Sequence, residues 1–165
     1  MTRLLGIDLG ERRIGLALSD GDGAPARPLI TLPRGRTLDA DEATLRTIVD
    51  AQRIDELVVG LPLDASGGEG SQATLTRAWA EALQRRIGRP VTLRDERWTS
   101  HLAEARLGPM PRGRSGGPPS RTQRDAYRAR VDREAAAIIL QDELDTRAGV
   151  RSSLPLSPDP QENRT

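Results

Sequence analysis

The chain has no cysteine, no lysine and no phenylalanine, and His101 is its single histidine. Without cysteine there is no disulfide, zinc–thiolate site, iron–sulfur cluster or thiol nucleophile. His101 lies in polar surroundings beyond "WTS" and reads as a solvated surface group. The aromatics are Trp79, Trp98 and Tyr127, too few for a base-stacking platform, so any nucleic-acid contact must be mainly to the backbone. No window reaches the roughly 18 consecutive apolar residues of a membrane span, and the N-terminus lacks a basic-then-apolar secretory stretch. A soluble, cytoplasmic protein with no membrane partner is expected.

What is present is arginine. All 25 basic residues are arginine, against 24 acidic ones, for a net charge of +1. The sign is unevenly spread: residues 106–133 carry eight arginines and only Asp125 and Asp132 as acids. Arginine's planar fork suits bidentate phosphate contacts, although a compositional bias of the genome would also replace every lysine.

The length of 165 residues suits one domain, expected over 1–146, with a Pro- and Ser-rich tail over 147–165 of disordered composition. "LLGID" and the alternating "IGLALSD" read as a strand hairpin, and "RPLITLPR" as a third strand. Residues 38–53 place Leu38, Leu45, Ile48 and Val49 on one helical face, with Asp39, Asp41 and Glu42 in the first turns, where the helix dipole favours acids. "DELVVGLPL" has the unbroken apolar run of a strand buried on both faces. A second helix over 71–87 repeats Leu75, Ala78, Trp79, Ala82, Leu83 and Ile87, and Gly88 ends it. "PVTLRDER" is a fifth strand, Thr99 or Ser100 can cap a short helix to Leu107, and a long helix spans about 122–146. Parallel neighbours need crossover helices, so the order implies an α/β fold: a five-stranded mixed sheet with helices on both faces.

Three acids stand out. Asp8 ends the first strand between Gly6 and Gly10, where α/β sheets place ligands, though an aspartate there can also simply cap the turn. In "DER", only one of Asp95 and Glu96 can point toward Asp8, because side chains alternate along a strand. Asp132 lies at or beside the apolar face formed by Ala135, Ala136 and Ile139, where a carboxylate needs a partner: a metal, or an ion pair with Arg128 or Arg133. Gathered at one sheet edge, three carboxylates are hard oxygen ligands for Mg²⁺ or Mn²⁺, and two such ions about 4 Å apart can activate water and stabilise a leaving oxygen.

"LGIDLGERRIGLALSD", "VVGLPLDASGGEG", "RDERWTS" and "VDREAAAIILQ" resemble, in order and spacing, the four motifs of the YqgF, or RuvX, family, over residues 3 to about 146. The resemblance implies an RNase H-like fold related to the RuvC Holliday-junction resolvases. It also implies a hydrolase, a metal-dependent nuclease of ribosome biogenesis that processes the 5′ end of pre-16S rRNA. By motif, Asp8, Glu96 and Asp132 match the catalytic and metal-binding acids, with two Mg²⁺ or Mn²⁺ ions as cofactors. Related nucleases often carry a further acid ending the fourth strand; "VVGLPL" has none before Asp64, which leaves Asp20, Asp64, Glu69 or Asp95 as candidate helpers. The implied partners are structured RNA, branched DNA, and the ribosome or its precursors. Candidate backbone contacts are Arg12, Arg13, Arg97, Arg112, Arg114, Arg121, Arg124 and Arg128, several of them in a loop whose alternative role is simply to be solvated.

Two other classes stand against a nuclease. Actin-like and sugar-kinase ATPases share an opening "GIDLG", but here the turn reads "GERR" and the chain is short for two subdomains around a nucleotide. A Holliday-junction resolvase, or a non-catalytic nucleic-acid or ribosome-binding factor on the same fold, remains the alternative.

Overall fold

Hydrophobic alternation builds the sheet. The computed structural model describes residues 2–21 and 23–149. In chain order the elements are β1 (Leu4–Leu9), β2 (Arg13–Ser19), β3 (Arg27–Pro33), α1 (Leu38–Gln52), β4 (Glu56–Leu61), α2 (Ser71–Ile87), β5 (Val91–Asp95), α3 (Thr99–Leu107) and α4 (Arg121–Arg147). The sheet order is β3-β2-β1-β4-β5. The meander β1–β2–β3 is antiparallel, and β4 and β5 extend the sheet in parallel from β1. This is the expected mixed sheet, with helices on both faces.

The two faces differ in kind. Leu5, Ile7 and Leu9 of β1, Ile14, Leu16 and Leu18 of β2, and Leu57 and Val59 of β4 point to one side. There they meet Leu45 and Val49 of α1 and Trp79, Leu83 and Ile87 of α2. Burying each such side chain contributes about 1.5–3 kcal/mol. On the other side Leu4, Ala17 and Val58 meet Ala136, Ala137, Ile139 and Leu140 of α4. Small residues let α4 lie almost on the sheet backbone. A β-carbon at Gly6 would stand 2.7 Å from the Ala136 carbonyl oxygen, and one at Gly15 would overlap the Asp132 carbonyl. α3 packs on α4 through Ala103, Val131, Ala135 and Ile138.

Local details depart from expectation. In α2 the buried line is Ala73, Thr76, Trp79, Ala80, Leu83 and Ile87, while Leu75 is 66% exposed. At 3.6 residues per turn, Leu75 falls about 100° around the helix from that line. α3 is not capped by Thr99 or Ser100. Trp98 takes the N-cap position in the left-handed region (φ 67°) with no side-chain cap, and Thr99 is buried. Asp41 is buried, because Arg34 Nε and the Gly35 amide donate to it at 2.9 and 2.6 Å. α4 begins with a reciprocal Ser120–Gln123 capping box and runs to Arg147. The expected tail lies outside the described residues from 150 onward.

Candidate active site

Asp8 faces α4 because the strand alternates: Leu5, Ile7 and Leu9 take the leucine-rich face, so Leu4, Gly6 and Asp8 take the other. The hairpin register sets Asp8 opposite Gly15, and the same alternation puts Arg13 on the α4 side. Two strands away, Gly60 pairs with Arg94, and the Glu96 amide donates to the Leu61 carbonyl at 3.1 Å, continuing β5 by one residue. Arg94 and Glu96 thus share the α4 face. Asp95 points away, accepting from the Arg97 amide and Nε, both at 2.8 Å.

Between Asp8 and Glu96 runs β4, and its Gly60 leaves the gap that Glu96 fills. A β-carbon at Gly60 would stand 2.5 Å from Glu96 Oε2. Glu96 reaches Asp8, and the two carboxyls share a hydrogen bond. Burial is the largest influence on both. It raises Asp8 to about 6, with the Glu96 hydrogen bond opposing and the Asp132 charge adding to the rise. Glu96 rises to about 9 through burial and then repulsion from Asp8. Both carboxyls thus resist ionising together, and the pair retains a proton between them.

Asp132 enters from α4, close enough for its charge to act on Asp8. Its Oδ2 accepts from Arg13 Nε at 2.6 Å. The ion-pair partner is thus neither Arg128 nor Arg133 but a residue of β2, which the close approach at Gly15 brings under the helix. Among the described residues, no three acidic or histidine side chains surround a common point. Asp8 and Glu96 are joined to one another, and Asp132 to Arg13. The donor set nevertheless suits a hard divalent ion. All its atoms are carboxylate oxygens, and the proton shared by Asp8 and Glu96 supplies the positive charge that a cation would otherwise bring.

The candidate helper acids are engaged elsewhere. Asp20 pairs with Arg3 and Arg27, and Glu69 pairs with Arg77. Asp64 accepts from Ser66 and from the Gly68 amide, which holds its carboxyl below the usual range. His101 is exposed on α3, its ring tilted toward Trp98 at 6.1 Å.

Two clefts open beside Asp132. One, of about 370 Å³, has Arg12, Arg13 and Arg128 in its walls. The other, of about 470 Å³, shares Arg13 and Arg128 and adds Ser100, Glu104 and Met110. Arg112, Arg114, Arg121 and Arg124 are exposed and line neither cleft, and Arg97 is held by Asp95. Two contributors escaped the sequence reading. The Arg13–Asp132 pairing had one signal, the phase of "RIGLALS". Gly60 read only as a strand end.

The family model of RuvX, described as Holliday junction resolvase, matches residues 2–146. A relative from Anaeromyxobacter sp. (strain Fw109-5) is 46% identical over 145 residues, 88% of this chain and 98% of its own length. One from Moorella thermoacetica is 41% identical over 148 residues, 87% and 94% of the two chains. Both carry the provisional name pre-16S rRNA nuclease. Among solved structures, Thermus thermophilus RuvC superposes with a TM-score of 0.51 at 16% identity, covering 93% of this chain and 100% of that one. The likeness establishes a shared RNase H-like fold.

Proposed function

The chain belongs to the RuvX family, and from that premise we propose that it is a metal-dependent nuclease that trims the 5′ end of pre-16S rRNA. The observation that carries this reading is the Asp8–Glu96 carboxyl pair facing α4, with the Asp132 charge acting on it. A proton-sharing pair is a costly arrangement to keep half-buried unless a cation replaces the proton in use.

Asp8, Glu96 and Asp132 would hold one or two ions of Mg²⁺ or Mn²⁺. Bound there, such ions lower the pKa of water and stabilise the developing charge on the leaving oxygen. The protein's own contributions are separable. With a cation held there, Asp8 and Glu96 would give up their shared proton, and the Glu96 carboxylate would orient the attacking water and accept its proton. Arg12 and Arg128, in the cleft walls beside Asp132, hold backbone phosphates, and the leucine-rich face behind β1 stays dry. The catalytic unit is residues 1–146. Its partners are structured RNA and ribosomal precursors, and its place of action is the cytoplasm. No helix of the described residues is long and apolar enough to cross a membrane.

The test is direct. Purified protein is incubated with a pre-16S 5′-end fragment and with a four-way DNA junction, each in Mg²⁺, Mn²⁺ and chelator. Cleavage of the RNA with metal, lost in Asp8→Ala, is expected. Equal behaviour of wild type and Asp8→Ala on every substrate would leave a non-catalytic binding factor. Preferential cutting of the junction would favour the resolvase reading, which the family's own description suggests.

A further inference from the structure

Of the three acids, Asp132 alone is paired with a base. Its Oδ2 and Arg13 Nε lie 2.6 Å apart, with the side chains 22% and 28% exposed. The pair lines both clefts, together with Arg128 in each and Arg12 in the smaller. A guanidinium does not lose its proton in proteins, so it cannot yield the carboxylate by neutralising itself. It can only be exchanged for another cation. The backbone beneath it is fixed: the Arg13 carbonyl accepts from the Gly10 amide at 2.9 Å, and Arg13 pairs with Pro33 of β3. Exchange is therefore a movement of a long side chain, not of the hairpin.

We infer that Arg13 is a phosphate-binding residue held in reserve. In the metal-free protein it neutralises Asp132. A divalent cation at the acids displaces it into the cleft, where it joins Arg12 and Arg128 in holding the nucleic-acid backbone. This rests on the nuclease reading above and adds a coupling to it. Two positive species beside one carboxylate repel each other, and the fork that leaves matches a phosphate in geometry and charge. Glu11 and Glu104, also in the cleft walls, are the competing partners for the freed guanidinium. Because coupling between binding sites is reciprocal, cation and nucleic acid strengthen one another's binding through this one side chain.

The experiment measures Mn²⁺ affinity of the full chain by calorimetry, without nucleic acid, for wild type and Arg13→Gln. Removing the competing guanidinium is expected to tighten Mn²⁺ binding by about fivefold, the worth of a partly exposed ion pair. A fluorescein-labelled hairpin RNA, titrated with and without Ca²⁺, is expected to gain affinity from the ion in wild type and to gain less in the variant. Equal or weaker Mn²⁺ binding by Arg13→Gln overturns the inference and leaves the nuclease reading intact. No Mn²⁺ binding by either protein overturns both. A readout that does not depend on the folding of Arg13→Gln is the Arg13 Nε–H resonance of wild type, identified by its absence in Arg13→Lys. It is expected to shift when Mg²⁺ is added, and an unmoved resonance rejects the displacement.

Discussion

Gly15 and Asp132 touch through backbone alone: a β-carbon on Gly15 would overlap the Asp132 carbonyl carbon and oxygen and stand 2.8 Å from the Arg133 amide nitrogen. Neither group can step aside without moving α4. Since Gly15 also sits opposite Asp8, this contact sets the distance between the sheet acids and the helix acid.

Gly15→Ala should therefore push α4 off the sheet. The expected cost is about 1–3 kcal/mol in urea unfolding, the range for overpacking a tight core. Nuclease activity should fall further than stability, because the displaced residue is Asp132. Unchanged activity in a destabilised variant would show that the spacing matters only to packing.

Gly60→Ala tests the other gap. Its β-carbon would meet Glu96 Oε2 at 2.5 Å and Ile139 Cδ1 at 2.6 Å, both ends of side chains, so the fold should survive with a loss of about 1–2 kcal/mol. Glu96 would be driven away from Asp8. Activity is expected to drop on the order of 10²-fold, as when one preorganised electrostatic group is lost. Steady-state kinetics on the RNA fragment would check it.

The Asp8–Glu96 pair makes the metal-free protein sensitive to alkali. Both carboxyls are raised, so the folded chain keeps protons that the unfolded chain has released above its ordinary carboxylate pKa values, 3.8 and 4.5. Their stabilising contribution is complete below pH 4 and is lost as pH rises through about 6 and then about 9. Unfolding midpoints in chelator, taken as wild type minus Glu96→Gln, should show this decline. Saturating Mn²⁺ should remove it, because the cation replaces the proton.

The arginines at the clefts and those of the 108–120 loop and the first turn of α4 should separate in a salt titration. Each lost phosphate contact lowers the slope of log affinity against log salt by about 0.7–0.9. The double variant Arg12→Ala/Arg128→Ala is expected to lower it by about twice that. Removing Arg112, Arg114, Arg121 and Arg124, which line neither cleft, should lower it less. Fluorescence anisotropy with a labelled hairpin RNA measures both.

Much of the fold is written in local patterns. "LLGIDL" and "RIGLALS" each declare two faces, and β4 declares itself by an apolar run, because burial acts on consecutive residues. Asp8 was legible for the same reason, as a charge breaking such a pattern. Choosing between Asp95 and Glu96 needed more, since alternation leaves two phases and only the β4–β5 register, Gly60 opposite Arg94, selects one. The partner of Asp132 was beyond local reasoning altogether. Spacing along a helix offers Arg128 or Arg133, whereas Arg13 lies 119 residues away and reaches Asp132 only because Gly15 lets the helix settle.

α4 is the last described element of the chain, and it supplies Asp132, while β1 supplies Asp8 and Glu96 directly follows β5. In order of synthesis, the first two acids emerge well before the third. A nascent chain that has reached β5 has all five strands of the sheet but lacks Asp132. The last acid of the proposed centre thus arrives with α4, after the sheet on which that helix docks.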